Sequence, residues 1–106
     1  MQLQVRTYPS IHAAVKKIAI DRALTLGELL SSLVIKDVKN KLDGEPCEKL
    51  PISASERMTA KINFDCEDGI WREFTCLCRE KRTTPTARAL YLQFCEIKGH
   101  PQNYLN

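Results

Sequence analysis

Long apolar runs are missing from this 106-residue chain, and no stretch approaches the ~20 residues that a membrane-spanning helix needs. The N-terminus opens on alternating polar residues, not on a basic segment followed by an apolar one. No secretory signal is read there, so the expected location is cytoplasmic, with no membrane partner. Histidine is scarce: His12 and His100 stand far apart and supply no paired ligands. No H-E-x-x-H helix, P-loop, dinucleotide fingerprint or nucleophile elbow occurs, so neither an enzyme nor a cofactor is expected. The five cysteines (Cys47, Cys66, Cys76, Cys78, Cys95) are an odd set without disulfide-framework spacing. Cys76 and Cys78 form C-x-C on a predicted helix, where residues two apart do not face one another, so no metal is expected. Cys78 and Cys95 read as small core residues of a reduced protein, Cys47 and Cys66 as near-surface thiols.

What is present supports one domain over residues 1–106, with 43% hydrophobic and 27% charged residues. The net charge of +3 is unevenly spread. Residues 1–41 hold seven Lys/Arg against three acids, residues 42–57 two against four, and residues 58–106 seven against six. The basic excess near the N-terminus is compatible with a phosphate-binding face.

The chain also carries one series of patterns twice. Gln2-Leu-Gln-Val-Arg-Thr7 alternates with period two, as a half-buried strand does. Pro9 and Ser10 punctuate it, with Ser10 able to cap a helix whose apolar face is Ile11, Ala14, Val15, Ile18 and Ala19. Thr25-Leu-Gly-Glu28 reads as a capping box opening a second helix with the stripe Leu26, Leu29, Leu30, Leu33, Val34 and Val38. After a break at Asp43-Gly-Glu-Pro46, Thr59-Ala-Lys-Ile-Asn-Phe64 alternates again. A helix capped by Asp65 or Asp68 follows, with Ile70, Phe74, Leu77 and Cys78 on its face. Sliding the first series forward by 59 places Ile11 on Ile70, Val15 on Phe74, Ile18 on Leu77 and Ala19 on Cys78. A last helix is predicted from Thr84-Pro85 to Gly99. Keeping the offset at 59 sets Ala89 on Leu30 and Leu92 on Leu33 and suits Pro85, but it also sets Arg88 on Leu29 and Gln93 on Val34. Two extra residues in the turn restore the apolar stripe instead, setting Leu90 on Leu29, Tyr91 on Leu30 and Phe94 on Leu33; of the two alignments this one is preferred. The predicted organisation is a first unit over 1–40, a linker over 41–57, a second unit over 58–99 and a tail over 100–106.

Strand, helix, short turn and helix over about forty residues resembles the ribbon-helix-helix superfamily, the MetJ/Arc type of β-ribbon DNA reader. The matching residues are Gln2-x-Gln4-x-Arg6, Pro9, and Ala19-Ile-Asp-Arg-Ala-Leu-Thr25-Leu-Gly-Glu across the inter-helix turn. The first unit fits well and the second more loosely, and together they span about four-fifths of the chain. The resemblance implies an α+β, mostly helical fold: two β-α-α repeats forming a pseudo-dimer with a two-stranded antiparallel ribbon and four helices. It implies double-stranded DNA as partner, read from the major groove. Gln2, Gln4 and Arg6 would contact bases from the first strand, and Thr59, Lys61 and Asn63 from the second, since Gln or Asn suits adenine and Arg or Lys guanine. Phosphates would meet the N-termini of the second helices, at Thr25, Leu26 and Gly27, and at Thr84 and Thr86 with Lys81 and Arg82. Because the halves differ at every reading position, an asymmetric site is expected, with self-association on adjacent sites. The implied role is transcriptional regulation or an accessory role in plasmid transfer or maintenance. The alternative is an antitoxin-like interaction module whose N-terminal half alone is ribbon-helix-helix. Three departures stand out: Ala23 and Arg82 replace the usual turn glycine, and Asp65 brings a carboxylate to the ribbon.

Overall fold

A computed structural model of the chain describes residues 1–43 and 50–100. Six elements follow in order: β1 (Gln2–Thr7), α1 (Pro9–Asp21), α2 (Leu26–Lys39), β2 (Ala60–Asp65), α3 (Asp68–Glu80) and α4 (Pro85–Lys98). The fold is thus α+β and mostly helical, with one two-stranded antiparallel sheet. The break at 44–46, Cys47 and residues 101–106 of the predicted tail lie outside the described residues. Among the described residues no helix is long and apolar enough to cross a membrane.

β1 pairs with β2 in the register Gln2↔Asp65, Leu3↔Phe64, Gln4↔Asn63, Val5↔Ile62, Arg6↔Lys61 and Thr7↔Ala60. The period-two patterning sets the faces: Val5, Thr7, Ile62 and Phe64 are buried, while their alternating neighbours are exposed. Beneath this ribbon lies a core of Val5, Leu30, Val34, Ile62, Phe64, Phe74 and Cys78, with Trp71 at its margin. A second cluster, from Ile11, Val15, Ile18, Leu29, Phe94 and Ile97, joins α1 to α4. Leu50 and Ile52 pack against it, so this part of the predicted linker covers the core instead of merely spanning a gap.

Helix ends follow local chemistry, with two corrections. Thr25 and Glu28 form the expected capping box, and Thr84 accepts from the Ala87 N–H with Pro85 in the first turn. Ser10 does not cap α1. The helix starts at Pro9 behind Tyr8, and the Ser10 N–H and Oγ both bond Glu56, at 2.7 and 3.0 Å. Neither Asp65 nor Asp68 caps α3, whose N-cap is Glu67 without a side-chain cap bond; Asp65 ends β2 and Asp68 is already helical. Ala23 and Arg82 stand where glycine was missed, at φ 56° and 58°. Each terminates its helix by the same pair of bonds. Leu24 N–H reaches Ala19 O at 2.9 Å and Ala23 N–H reaches Ile20 O at 3.0 Å; Thr83 N–H reaches Cys78 O at 2.9 Å and Arg82 N–H reaches Arg79 O at 3.1 Å.

The shifted alignment of the last helix does not form. α3 begins 59 residues after α1 (Asp68 against Pro9), and α4 begins 59 after α2 (Pro85 against Leu26). Ala89, Gln93 and Ile97 are buried on α4 at that spacing from Leu30, Val34 and Val38, whereas Leu90 and Tyr91 are half-buried. A glutamine can take the apolar position because its polar atoms are satisfied: Thr7 Oγ1 donates to Gln93 Oε1 at 2.9 Å, and Gln93 Nε2 donates to Ala89 O at 3.1 Å.

The cysteines also differ from expectation. Cys66 is buried, not superficial, because it continues the strand pairing: its N–H bonds Met1 O at 3.0 Å. Cys78 is buried as expected, Cys76 is exposed, and Cys95 is half-buried and disulfide-bonded rather than a free core thiol.

Candidate nucleic-acid interface

The outward face of the ribbon is built by strand alternation alone. Gln2, Gln4 and Arg6 from β1 and Lys61, Asn63 and Asp65 from β2 are all exposed, and Thr59 is exposed just before β2 begins. Antiparallel register sorts them into three facing pairs, Arg6 with Lys61, Gln4 with Asn63, and Gln2 with Asp65. Directly opposed side chains in such a ladder have Cβ atoms ~5 Å apart. The central pair is joined, with Gln4 Nε2 donating to Asn63 Oδ1 at 2.9 Å. Each amide keeps free donors, and Gln4 keeps its carbonyl oxygen. Arg6 and Lys61 face one another as like charges, and neither forms an ion pair among the described residues. An anion or a set of acceptors laid over them would relieve that repulsion.

The N-terminus of α2 runs along β2. Gly27 is required there, since a Cβ on it would come within 2.6 Å of Asn63 O. A groove lined by Thr25, Gly27, Glu28, Ser31, Lys61 and Asn63 separates this helix end from the ribbon's polar face. Free helix N–H groups can bind an anion, but the capping box narrows the supply. Thr25 N–H donates to Glu28 Oε1 at 2.9 Å, and Thr25 Oγ1 accepts from Glu28 N–H at 3.1 Å. Donation from the Thr25 backbone, reinforced by its side chain, holds the Glu28 carboxyl below its usual range, so a fixed negative charge stands beside the groove. Of the three expected residues, Leu26 and Gly27 retain uncommitted N–H groups and Thr25 does not; the Leu26 side chain packs into both apolar clusters.

The N-terminus of α4 is electrically different. Thr84 Oγ1 caps Ala87 N–H at 3.1 Å, Thr86 follows Pro85 in the first turn, and no acid stands in that turn. Arg82 is exposed in the preceding turn, and Lys81 pairs at 3.3 Å with Asp43, both groups largely solvated. That ion pair is weak enough to exchange for a phosphate. The structure therefore brings Lys81, Arg82, Thr84 and Thr86 together at one helix end, and Thr25, Leu26 and Gly27 at another.

Three residues behind these surfaces escaped the sequence reading. Asp37 of α2 and Arg88 of α4 form a bidentate pair, with Nε to Oδ2 at 2.8 Å and Nη2 to Oδ1 at 2.7 Å. Their side chains are only 6% and 13% exposed. The Asp37 bonds hold the Arg88 guanidinium protonated against its partial burial, and the Tyr91 ring lies 4.5 Å below it. Gln93 ties α4 to β1 through Thr7. A charge falling on an otherwise apolar stripe, Asp37 between Val34 and Val38, was the available signal. Comparison with known protein families, curated proteins and solved structures finds no match to this chain.

Proposed function

We propose that this chain is a sequence-specific DNA-binding protein made of two β-α-α units of the ribbon-helix-helix type, closed on one another as a pseudo-dimer within one polypeptide. The observation that carries the reading is a coincidence of spacing. The 59-residue interval that separates α1 from α3 and α2 from α4 also carries Gln4 onto Asn63, and these two are directly opposed in the ribbon. A pseudo-two-fold axis relating two units would pass through that pair. The left-handed turn residues Ala23 and Arg82 obey the same interval.

A two-stranded ribbon fits the ~12 Å width of the major groove, and its outward Gln, Asn, Arg and Lys side chains match base-edge donors and acceptors. The α2 and α4 N-termini then meet phosphates on either side. The role is that of a transcriptional regulator or an accessory protein of plasmid transfer or maintenance. An antitoxin-like module with residues 58–99 as a toxin-binding tail is disfavoured, because β2 and α3 supply Ile62, Phe64 and Phe74 to the ribbon's own core.

Fluorescence anisotropy on duplexes selected in vitro tests the reading. Arg6→Ala and Lys61→Ala are each expected to weaken binding by about 1–3 kcal/mol and to flatten the salt dependence. Unchanged affinity and slope in both variants would remove the ribbon from the mechanism.

A further inference from the structure

We infer that the ribbon reads its duplex in one direction only, with one end built for an acceptor-rich, guanine-bearing groove edge and the other for an edge that presents amino groups. This rests on the proposed DNA-binding reading and specifies its ligand. One end of the outward face holds Arg6 opposite Lys61, with no carboxylate facing them in the ribbon. The other end holds Gln2 opposite Asp65, and Glu67 and Asp68 follow as exposed acids where the chain enters α3; the Met1 ammonium, 3.7 Å from Asp68, offsets one of these three carboxylates and leaves the end acidic. The ribbon surface therefore changes sign over its six-residue length. Between the ends sits the Gln4–Asn63 amide pair, neutral and already hydrogen-bonded.

The chemistry of the two ends is exclusive. Arg6 and Lys61 have only donors, and the major-groove edge that offers the most acceptors is guanine, with O6 and N7. Asp65 has only acceptors, so it matches the amino group of cytosine or adenine and rejects the guanine edge. A shallow hollow lined by Gln2, Gln4, Asn63 and Asp65 gives this end room for a base edge. Turning the protein around would set Asp65 over guanine acceptors and the two cations over amino groups. Both mismatches oppose it. A perfectly palindromic site would satisfy only one end.

The test takes the duplex obtained by in vitro selection with the full chain. It compares that duplex with two symmetrised versions, each made by repeating one half in inverted orientation, for the wild type, Asp65→Asn and Arg6→Gln. The wild type should prefer the asymmetric duplex by roughly 10-fold or more over both symmetrised ones. Asp65→Asn should lose discrimination at base pairs toward one end, and Arg6→Gln at guanines toward the other. Equal binding to a symmetrised duplex overturns the inference, as do two variants that relax the same base pairs. An absence of selected duplex sequences would overturn the DNA-binding reading itself, a separate outcome. Both substitutions are at exposed positions, and unchanged circular dichroism confirms that folding is not the cause.

Discussion

The Asp37–Arg88 pair makes the sharpest prediction about what holds the helices together. Replacing Arg88 with Met keeps the aliphatic volume and removes the charge, leaving the Asp37 carboxylate 6% exposed and without its two bonds. Breaking one side of a buried pair costs about 3–5 kcal/mol, because the remaining charge stays desolvated and unpaired. Against a total stability of about 5–15 kcal/mol, that is a large fraction. With a urea m-value near 1.5 kcal/mol/M for a chain of this size, the midpoint should fall by roughly 2–3 M. Trp71 is the natural reporter. It is the chain's single tryptophan and lies against Phe64 and Phe74, with ring centroids 5.7 and 5.3 Å away. The double variant Asp37→Leu with Arg88→Met removes both charges and fills the space with hydrocarbon, so it should recover most of the loss. The lost contact with the Tyr91 ring affects single and double variants alike and does not change their order. The reasoning fails if Arg88→Met lies within ~1 kcal/mol of the wild type, or if the double variant is less stable than the single one.

Further predictions concern turns, close approach, capping and thiols. Ala23→Gly should raise the melting temperature by a few degrees, because relief of the left-handed conformation (~1–2 kcal/mol) exceeds the added freedom of the unfolded chain. Arg82→Gly should stabilise by the same route while weakening DNA binding, a divergence visible by comparing calorimetry with anisotropy. Gly27→Ala should destabilise by about 1–3 kcal/mol in urea titrations, since its Cβ would meet the rigid Asn63 carbonyl at 2.6 Å. Thr25→Ala should remove about 1 kcal/mol of stability at neutral pH. Because the folded state holds the Glu28 carboxyl low, its share of the capping box is complete above the ordinary carboxylate range and disappears as pH falls through the lowered value. The gap between wild type and Thr25→Ala should therefore narrow on acidification. Among the free thiols, maleimide should label Cys76 quickly in the native protein and leave Cys78 untouched, since burial pushes the Cys78 thiol up to about 11.

Much of the architecture was legible because its signals are local. Period-two alternation marked both strands and their outward faces, and the i, i+3, i+4 spacing marked the apolar stripes of the first three helices. Thr25 to Glu28 announced a helix start, and Pro85 behind Thr84 announced another, since those bonds close within one turn. The outward residues Gln2, Gln4, Arg6, Lys61 and Asn63 were likewise readable, because in a strand sequence parity alone decides the face.

Other features depend on partners distant in sequence, which no local pattern encodes. Local pattern favours the shifted alignment of α4 over the 59-residue one, because Gln93 and Arg88 look wrong for a buried face until Thr7 and Asp37 are brought to them, 86 and 51 residues away. Ser10 lost its capping role to Glu56, which only tertiary packing places beside it. Gly27 read as a phosphate cradle, and it took the close passage of β2 to show why no side chain fits there. The sequence by itself therefore determined the six elements, the two faces of each strand and the capped starts of α2 and α4, since those follow from backbone geometry and nearest neighbours. Tertiary structure decided which polar groups are satisfied inside and how charge is ordered along the ribbon, because register sets which side chains stand opposite one another.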